Sequence, residues 1–176
     1  MIMPRGHQLL LPARPLFIWG TLLGALACNM LLNMGLFGRA AWLPDMLALA
    51  LVFWTIHQPV RVGVGIAFLL GLTFDVHQSA LLGQHALAYT ALSFLAIAIH
   101  RRLLWFSMVS QAAQVLPLLV TAHALSLGVR LIAGGDLPDW SMLLAPFIEA
   151  LLWPLISLLL LLPQKRAHDP DDNRPL

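Results

Sequence analysis

One cysteine, one tyrosine and very little charge distinguish this 176-residue chain. The lone Cys28 excludes an internal disulfide and any CxxC metal or redox motif. Charged residues make up 10% of the chain, against roughly a quarter in soluble domains, so the sequence is not built for water. Also missing are GxSxG, HExxH, a P-loop and any local cluster of histidines and carboxylates at ligand spacing. Their absence leaves no expectation of a metal or cofactor site. Catalysis would need a centre assembled from distant residues, such as Asp75 with His123, and the expectation is a protein that is not an enzyme. A pI near 9.3 could suggest nucleic acid, but the basic residues are scattered between apolar runs and form no patch.

What the chain does have is apolar length. Hydrophobic residues are 60% of the total and the mean hydropathy is +0.83. The expectation is an all-α polytopic membrane protein with six spans, each approaching or exceeding the roughly 20 residues that cross a bilayer core. They run from about Leu16 to Phe37, Leu43 to Ile56, Val60 to Phe74, Ala80 to Ile99, Leu103 to Ile132 and Met142 to Leu162. The second and third are short, so they are extended by their flanks or shielded by neighbours; four spans with a re-entrant pair is the alternative. Residues 1–163 read as one helical bundle, and residues 164–176 as a disordered tail. The "ALAC" ending at Cys28 lacks the large aliphatic residue of a lipoprotein signal, since Ala25 stands there. The apolar run continues beyond it, so the first segment reads as an uncleaved helix.

Basic residues order the spans. Arg5, Arg14, Arg61, Arg101, Arg102, Lys165, Arg166 and Arg174 fall on one side of a six-span path, and Arg39 and Arg130 on the other. The positive-inside rule places the larger set, and both termini, in the cytoplasm.

Small and polar residues inside the spans say how the helices meet. Gly20 and Gly24 form GxxxG in the first span, with Cys28 one turn further. Gly63, Ala67, Gly71 and Asp75 recur every four residues in the third. A row from Ser79 and Gly83 through Ala86, Thr90 and Ser93 runs along the fourth. Such rows let helix backbones approach closely in lipid. Asp75 admits two readings. It either accepts hydrogen bonds from the first N–H groups of the fourth helix, or coordinates an ion or substrate with His77 or His85. In the fifth span Pro117 is expected to kink the helix, and His123, Ser126 and Arg130 form a row. Glu149, one turn from "LWP" (residues 152–154) in the sixth, is expected to pair with Arg130, with a polar residue of the fifth helix, or with a partner's helix.

The stretch "GLTFDVHQSALLGQHALAY" (residues 71–89) resembles the central signature of the bacterial rod-shape-determining MreD family. The matching positions are Gly71, Leu72, Asp75, Leu82, Gly83, Ala86, Leu87 and Tyr89. "LLWPLISLLLLLP" (residues 151–163), with its Trp153–Pro154 pair, is similar to that family's last helix. "VHQ" (residues 76–78) is more polar than that pattern, leaving the roles of His77 and Gln78 open. The resemblance implies a non-enzymatic inner-membrane subunit of the cell-elongation complex. Its implied partners are membrane lipid and a single-span MreC protein, and indirectly MreB, RodA and a class B penicillin-binding protein. It also implies a fold similar to the substrate-binding subunits of energy-coupling-factor vitamin transporters, which supplies the alternative of a small-solute-binding transporter subunit. Such a subunit should line an outer cavity with convergent polar and aromatic groups. Here Trp140 and the loop "GGDLPDW" (residues 134–140) promise few of them.

Reporter fusions test the topology. Fusions after Arg101 and after Lys165 are expected to report a cytoplasmic location and one at Asp136 a periplasmic one. A periplasmic signal at Arg101 contradicts six spans, because the charge asymmetry depends on that loop.

Overall fold

Proline, glycine and polar residues mark where the helices start. The computed structural model describes residues 14–36, 42–137 and 139–164. Arg5, Arg39, Lys165, Arg166 and Arg174, the Phe37 end of the first span, and tail residues 165–176 lie outside the described residues. Pro15 opens α1 (Pro15–Leu31) at a position where its missing N–H costs nothing, and a π-helical turn, Leu32–Leu36, extends it. Asp45 caps α2 (Met46–His57) by accepting from the Ala48 N–H, and Gly63 precedes α3 (Val64–Gln78). Gly83, at φ +102°, precedes α4 (Gln84–Leu103), and Ser107 precedes α5 (Met108–Ile132). A 3₁₀ segment, Trp140–Leu144, leads into α6 (Ala145–Leu161), and Leu162–Gln164 closes it. Helices two to five therefore begin three to five residues later than the apolar runs suggest. Apolar residues ahead of each cap belong to turns, which hydropathy alone does not separate from helix. Both α5 and α6 continue as helix through Pro117 and Pro154.

All six elements are helical, and no strand occurs among the described residues. Three helical stretches, Pro15–Met34, Met108–Ile132 and Trp140–Gln164, are long and apolar enough to cross a membrane. The 20-residue α4 ends in His100, Arg101 and Arg102, while α2 and α3 are shorter apolar helices. Large apolar side chains face outward along the bundle, among them Leu16, Phe94, Leu151 and Leu159, as lipid-facing surfaces require. Exposed Trp42 and Trp140 at one end and Trp105 at the other sit where interfacial tryptophans anchor a bundle. The protein is a polytopic all-α membrane protein.

The shortest helix lies at the centre. Every residue of α2 from Leu47 to Ile56 is buried, packed by α4, α1 and α6. Shielding, not extension, therefore accounts for α2, because a helix enclosed by protein need not reach both headgroup layers. Phe53 and Trp54 organise the surroundings. Trp54 meets Phe17 edge-on at 5.8 Å and donates Nε1–H to Thr21 Oγ1 at 2.8 Å, while Phe53 lies 6.4 Å from Trp153.

The most extensive contact joins α3 to α4. Ala67, Gly71 and Asp75 of the small-residue row are all buried. At Gly71 the backbones come so close that an added Cβ would lie 2.4 Å from Ala86 Cα. Ser79 and Gly83 do not share the row of α4; they stand in the turn before it, Ser79 as the left-handed cap of α3 at φ 51°.

Gly71→Ala forces rigid backbone apart, so it is expected to cost at least about 1–3 kcal/mol. Thermal unfolding in detergent measures the loss. Gly65→Ala, on the exposed side of α3 with open space around it, is the control and should leave the midpoint near that of the unmodified protein.

Candidate functional site

Two buried polar clusters share one end of the bundle, where α1, α3 and α5 finish and α2, α4 and α6 begin. Helix termini leave N–H groups without intrahelical partners, and in a membrane protein another part of the chain must satisfy them.

Asp75 does this for α4. Its side chain is fully buried near the C-terminus of α3. Oδ2 accepts from Gly83 N at 2.9 Å and Ala86 N at 3.2 Å. Oδ1 accepts from His85 N at 2.9 Å and lies 2.7 Å from His85 Nδ1. The carboxylate thus sits at the positive end of α4, where both the free N–H groups and the helix dipole favour a negative charge. Gly83 makes this geometry accessible, since its φ of +102° lies in a region that side chains other than glycine rarely adopt. Of the two histidines considered beside Asp75, the structure brings His85 to it and not His77.

The second cluster joins five helices. Asp45, at the start of α2, receives Asn29 Nδ2–H from α1 at 2.6 Å and the Tyr89 hydroxyl from α4 at 2.5 Å. Asn29 Oδ1 in return accepts from Met46 N at 2.9 Å. Asp45 N donates to Glu149 Oε1 of α6 at 2.9 Å, and the same oxygen lies 2.8 Å from His123 Nε2 of α5. Glu149 is fully buried, and its Oε2 has no hydrogen-bond partner among the described residues. Of the partners considered for Glu149, the fifth-helix polar residue is realised through His123, and no ion pair with Arg130 occurs among the described residues. Ser126 accepts from Gln84 Nε2 at 2.9 Å, tying α5 to α4.

Between the clusters opens a cavity of about 700 Å³. His85, Tyr89, Asp45 and His123 reach it from the two networks, with Arg130 and Asp139 also on its lining. The expectation of few convergent polar groups is corrected here. The polar lining comes mainly from the ends of helices, not from the loop "GGDLPDW", and residues distant in sequence meet only once the bundle closes. His77 and Gln78, the polar departure in "VHQ", line the same cavity. No group of three or more metal-capable side chains at ligand geometry occurs among the described residues.

The remaining candidates lie elsewhere. Gly20 and Gly24 sit on the exposed side of α1 with nothing within 4 Å of an added Cβ, and Pro154 is half-buried in α6. Sequence reading missed Asn29, Asn33 and Asp45. The signals were present: two amides one turn apart in an apolar helix, and an aspartate after Pro44 ahead of an apolar run.

Asp75→Leu leaves the donors of Gly83, His85 and Ala86 unpaired, a cost of about 1–3 kcal/mol for each buried group. Membrane abundance and unfolding temperature are expected to fall. Asp75→Asn keeps one carbonyl oxygen but turns an NH₂ toward other donors, so it should fall between Leu and the unmodified protein. Equal stability of all three would remove the capping role.

A family model described as rod shape-determining protein MreD matches residues 13–162. The chain is similar to "Rod shape-determining protein MreD" of Haemophilus influenzae, 30% identical over 123 residues, covering 66% of this chain and 72% of that relative. No solved structure matches the chain.

Proposed function

Because the chain belongs to the rod shape-determining MreD family, we propose that it is the non-enzymatic inner-membrane subunit of a cell-elongation complex. It acts by docking the transmembrane helix of an MreC-like single-span protein. Through that protein it reaches MreB, RodA and a class B penicillin-binding protein, and so influences peptidoglycan synthesis. Both termini are cytoplasmic in this reading, as the distribution of Lys and Arg favours. The end of the bundle bearing the cavity then faces outward.

One observation carries the docking proposal, the contrast between two glycine rows. Gly71 is consumed by contact with Ala86, whereas Gly20 and Gly24 face open space on a helix whose other side, Ile18, Leu22 and Leu26, is buried. Lipid tails and apolar side chains are equally apolar, so helix association in a membrane rests on close van der Waals packing. A flat glycine face at the periphery offers that packing to an incoming helix. The cavity favours a second reading, a small-solute-binding subunit of a transporter. Loss of the protein alters cell shape under the first reading and solute uptake under the second.

Gly24→Leu is expected to reduce co-purification with an MreC-like partner and to round the cells, while the protein still accumulates in the membrane. Leu151→Ala, on the exposed face of α6, is the control. Loss of the protein itself would assign the glycine row to internal packing. Normal shape with undiminished partner recovery would remove α1 from the interface.

A further inference from the structure

The charges of the bundle are sorted by end. The described acids, Asp45, Asp75, Asp136, Asp139 and Glu149, all lie at the end that bears the cavity. Of the described arginines only Arg130 joins them. Arg14 precedes α1, Arg61 precedes α3, and Arg101 and Arg102 stand in the last turn of α4. These four share the opposite end, where no carboxylate stands among the described residues. Arg14, Arg101 and Arg102 are exposed, and their side chains make no hydrogen bond or ion pair among the described residues. The last turn of α4 is the negative end of a helix dipole, which favours Arg101 and Arg102. Arg14 stands at the positive end of α1 with no side-chain capping bond, so its own helix does not favour it there. The positive-inside rule accounts for the side of the membrane on which these groups fall, but it supplies no counter-charge.

The turn after α4 adds apolar surface to this charge. Leu104 N donates to His100 O at 3.1 Å, Trp105 N to Arg102 O at 3.2 Å and Phe106 N to Leu103 O at 3.1 Å. Leu103 is buried beneath this tight turn, whereas Trp105 is 90% exposed and Leu104 and Phe106 are exposed beside it. Two guanidinium groups and two aromatic rings therefore project from one short segment. Such rings are favoured at the membrane interface, where an apolar body meets acyl chains and a polar edge meets water. A phospholipid supplies that medium together with a phosphate that guanidinium groups match in charge and geometry. A zwitterionic headgroup carries its own ammonium beside the phosphate, while an anionic one leaves its negative charge for the protein. We propose that the turn after α4 binds the headgroup of an anionic phospholipid, with Arg101 and Arg102 on the phosphate and Trp105 and Phe106 against the upper acyl chains. Arg14 adds to the positive surface of the same end. The inference rests on the charge distribution, not on the cavity or on the glycine face of α1, and stands or falls apart from both.

The test uses the full chain in mixed micelles of phosphatidylglycerol and phosphatidylethanolamine with matched acyl chains. The protein is repurified, and the lipid it retains is quantified by mass spectrometry. Enrichment of phosphatidylglycerol over the ratio supplied is expected after a low-salt wash, and its decline after a high-salt wash, because exposed charge pairs are screened. Each basic group near an anionic surface contributes roughly fivefold in affinity. Arg101→Gln combined with Arg102→Gln, at exposed positions that the fold does not use, should therefore weaken phosphatidylglycerol retention roughly tenfold or more. Arg101→Lys combined with Arg102→Lys keeps the charge and should keep most of the enrichment. The proposal is overturned by no enrichment in the unmodified protein, by enrichment insensitive to salt, or by equal enrichment in the Gln and Lys pairs. It is also overturned if enrichment appears only once residues 165–176 are removed. In that case Asp169, Asp171 and Asp172 of the chain's own tail, not lipid, would be the counter-charge.

Discussion

A helix that starts inside a membrane protein presents N–H groups that water cannot reach, and here acidic side chains answer them. Asp75 closes the start of α4 from the end of α3, so one carboxylate is both a cap and a clasp between helices. Glu149 accepts the Asp45 N–H just ahead of α2 from across the bundle, and Asn29 of α1 accepts the next one at Met46. Because the acceptors come from other helices, helix starts and helix positions are fixed by the same bonds. The close approach at Gly71 follows from this. With Asp75 bound to residues 83–86, α3 cannot stand off from α4, and only a residue without a Cβ fits one turn earlier.

The same constraint concentrates polarity at one end. The two starts answered by carboxylates, those of α2 and α4, lie at the same end, and the histidines and the tyrosine hydroxyl that meet those carboxylates lie there too. The middle of the bundle uses another vocabulary, with α2 enclosed by apolar and aromatic contacts and few polar pairs such as Thr55 with Ser93 at 3.2 Å. A polar, aromatic cavity beside a dry core is the outcome.

Much of this was legible in the sequence. Six helices followed from hydropathy and charge placement, and the buried face of α3 followed from the four-residue recurrence ending at Asp75. The capping role considered for that residue agrees with its four contacts, since a carboxylate ahead of a glycine-punctuated turn has few other donors in reach. The cluster around Asp45 was not legible. Its members, Asn29, Asp45, Tyr89, His123 and Glu149, come from five separate segments, and no local period connects them. Helix starts were misjudged for a related reason: an apolar residue in a turn and one in a first helical turn look alike until the acceptor is known. The two glycine rows looked equivalent as patterns, and only the contacts separate the filled one from the open one.

The enclosure of α2 also bears on how the protein is made. Its 12 residues rise only about 18 Å, well short of a hydrocarbon core of about 30 Å. On emerging from the insertion machinery, such a segment has no stable resting place among lipids by itself. Of the helices that surround it, α1 precedes it, but α4 and α6 are synthesised later. The centre of the bundle is therefore completed last in folding although it is translated early. A truncation that removes α6 would leave α1 and α4 in place but open the side of α2 where Phe53 faces Trp153.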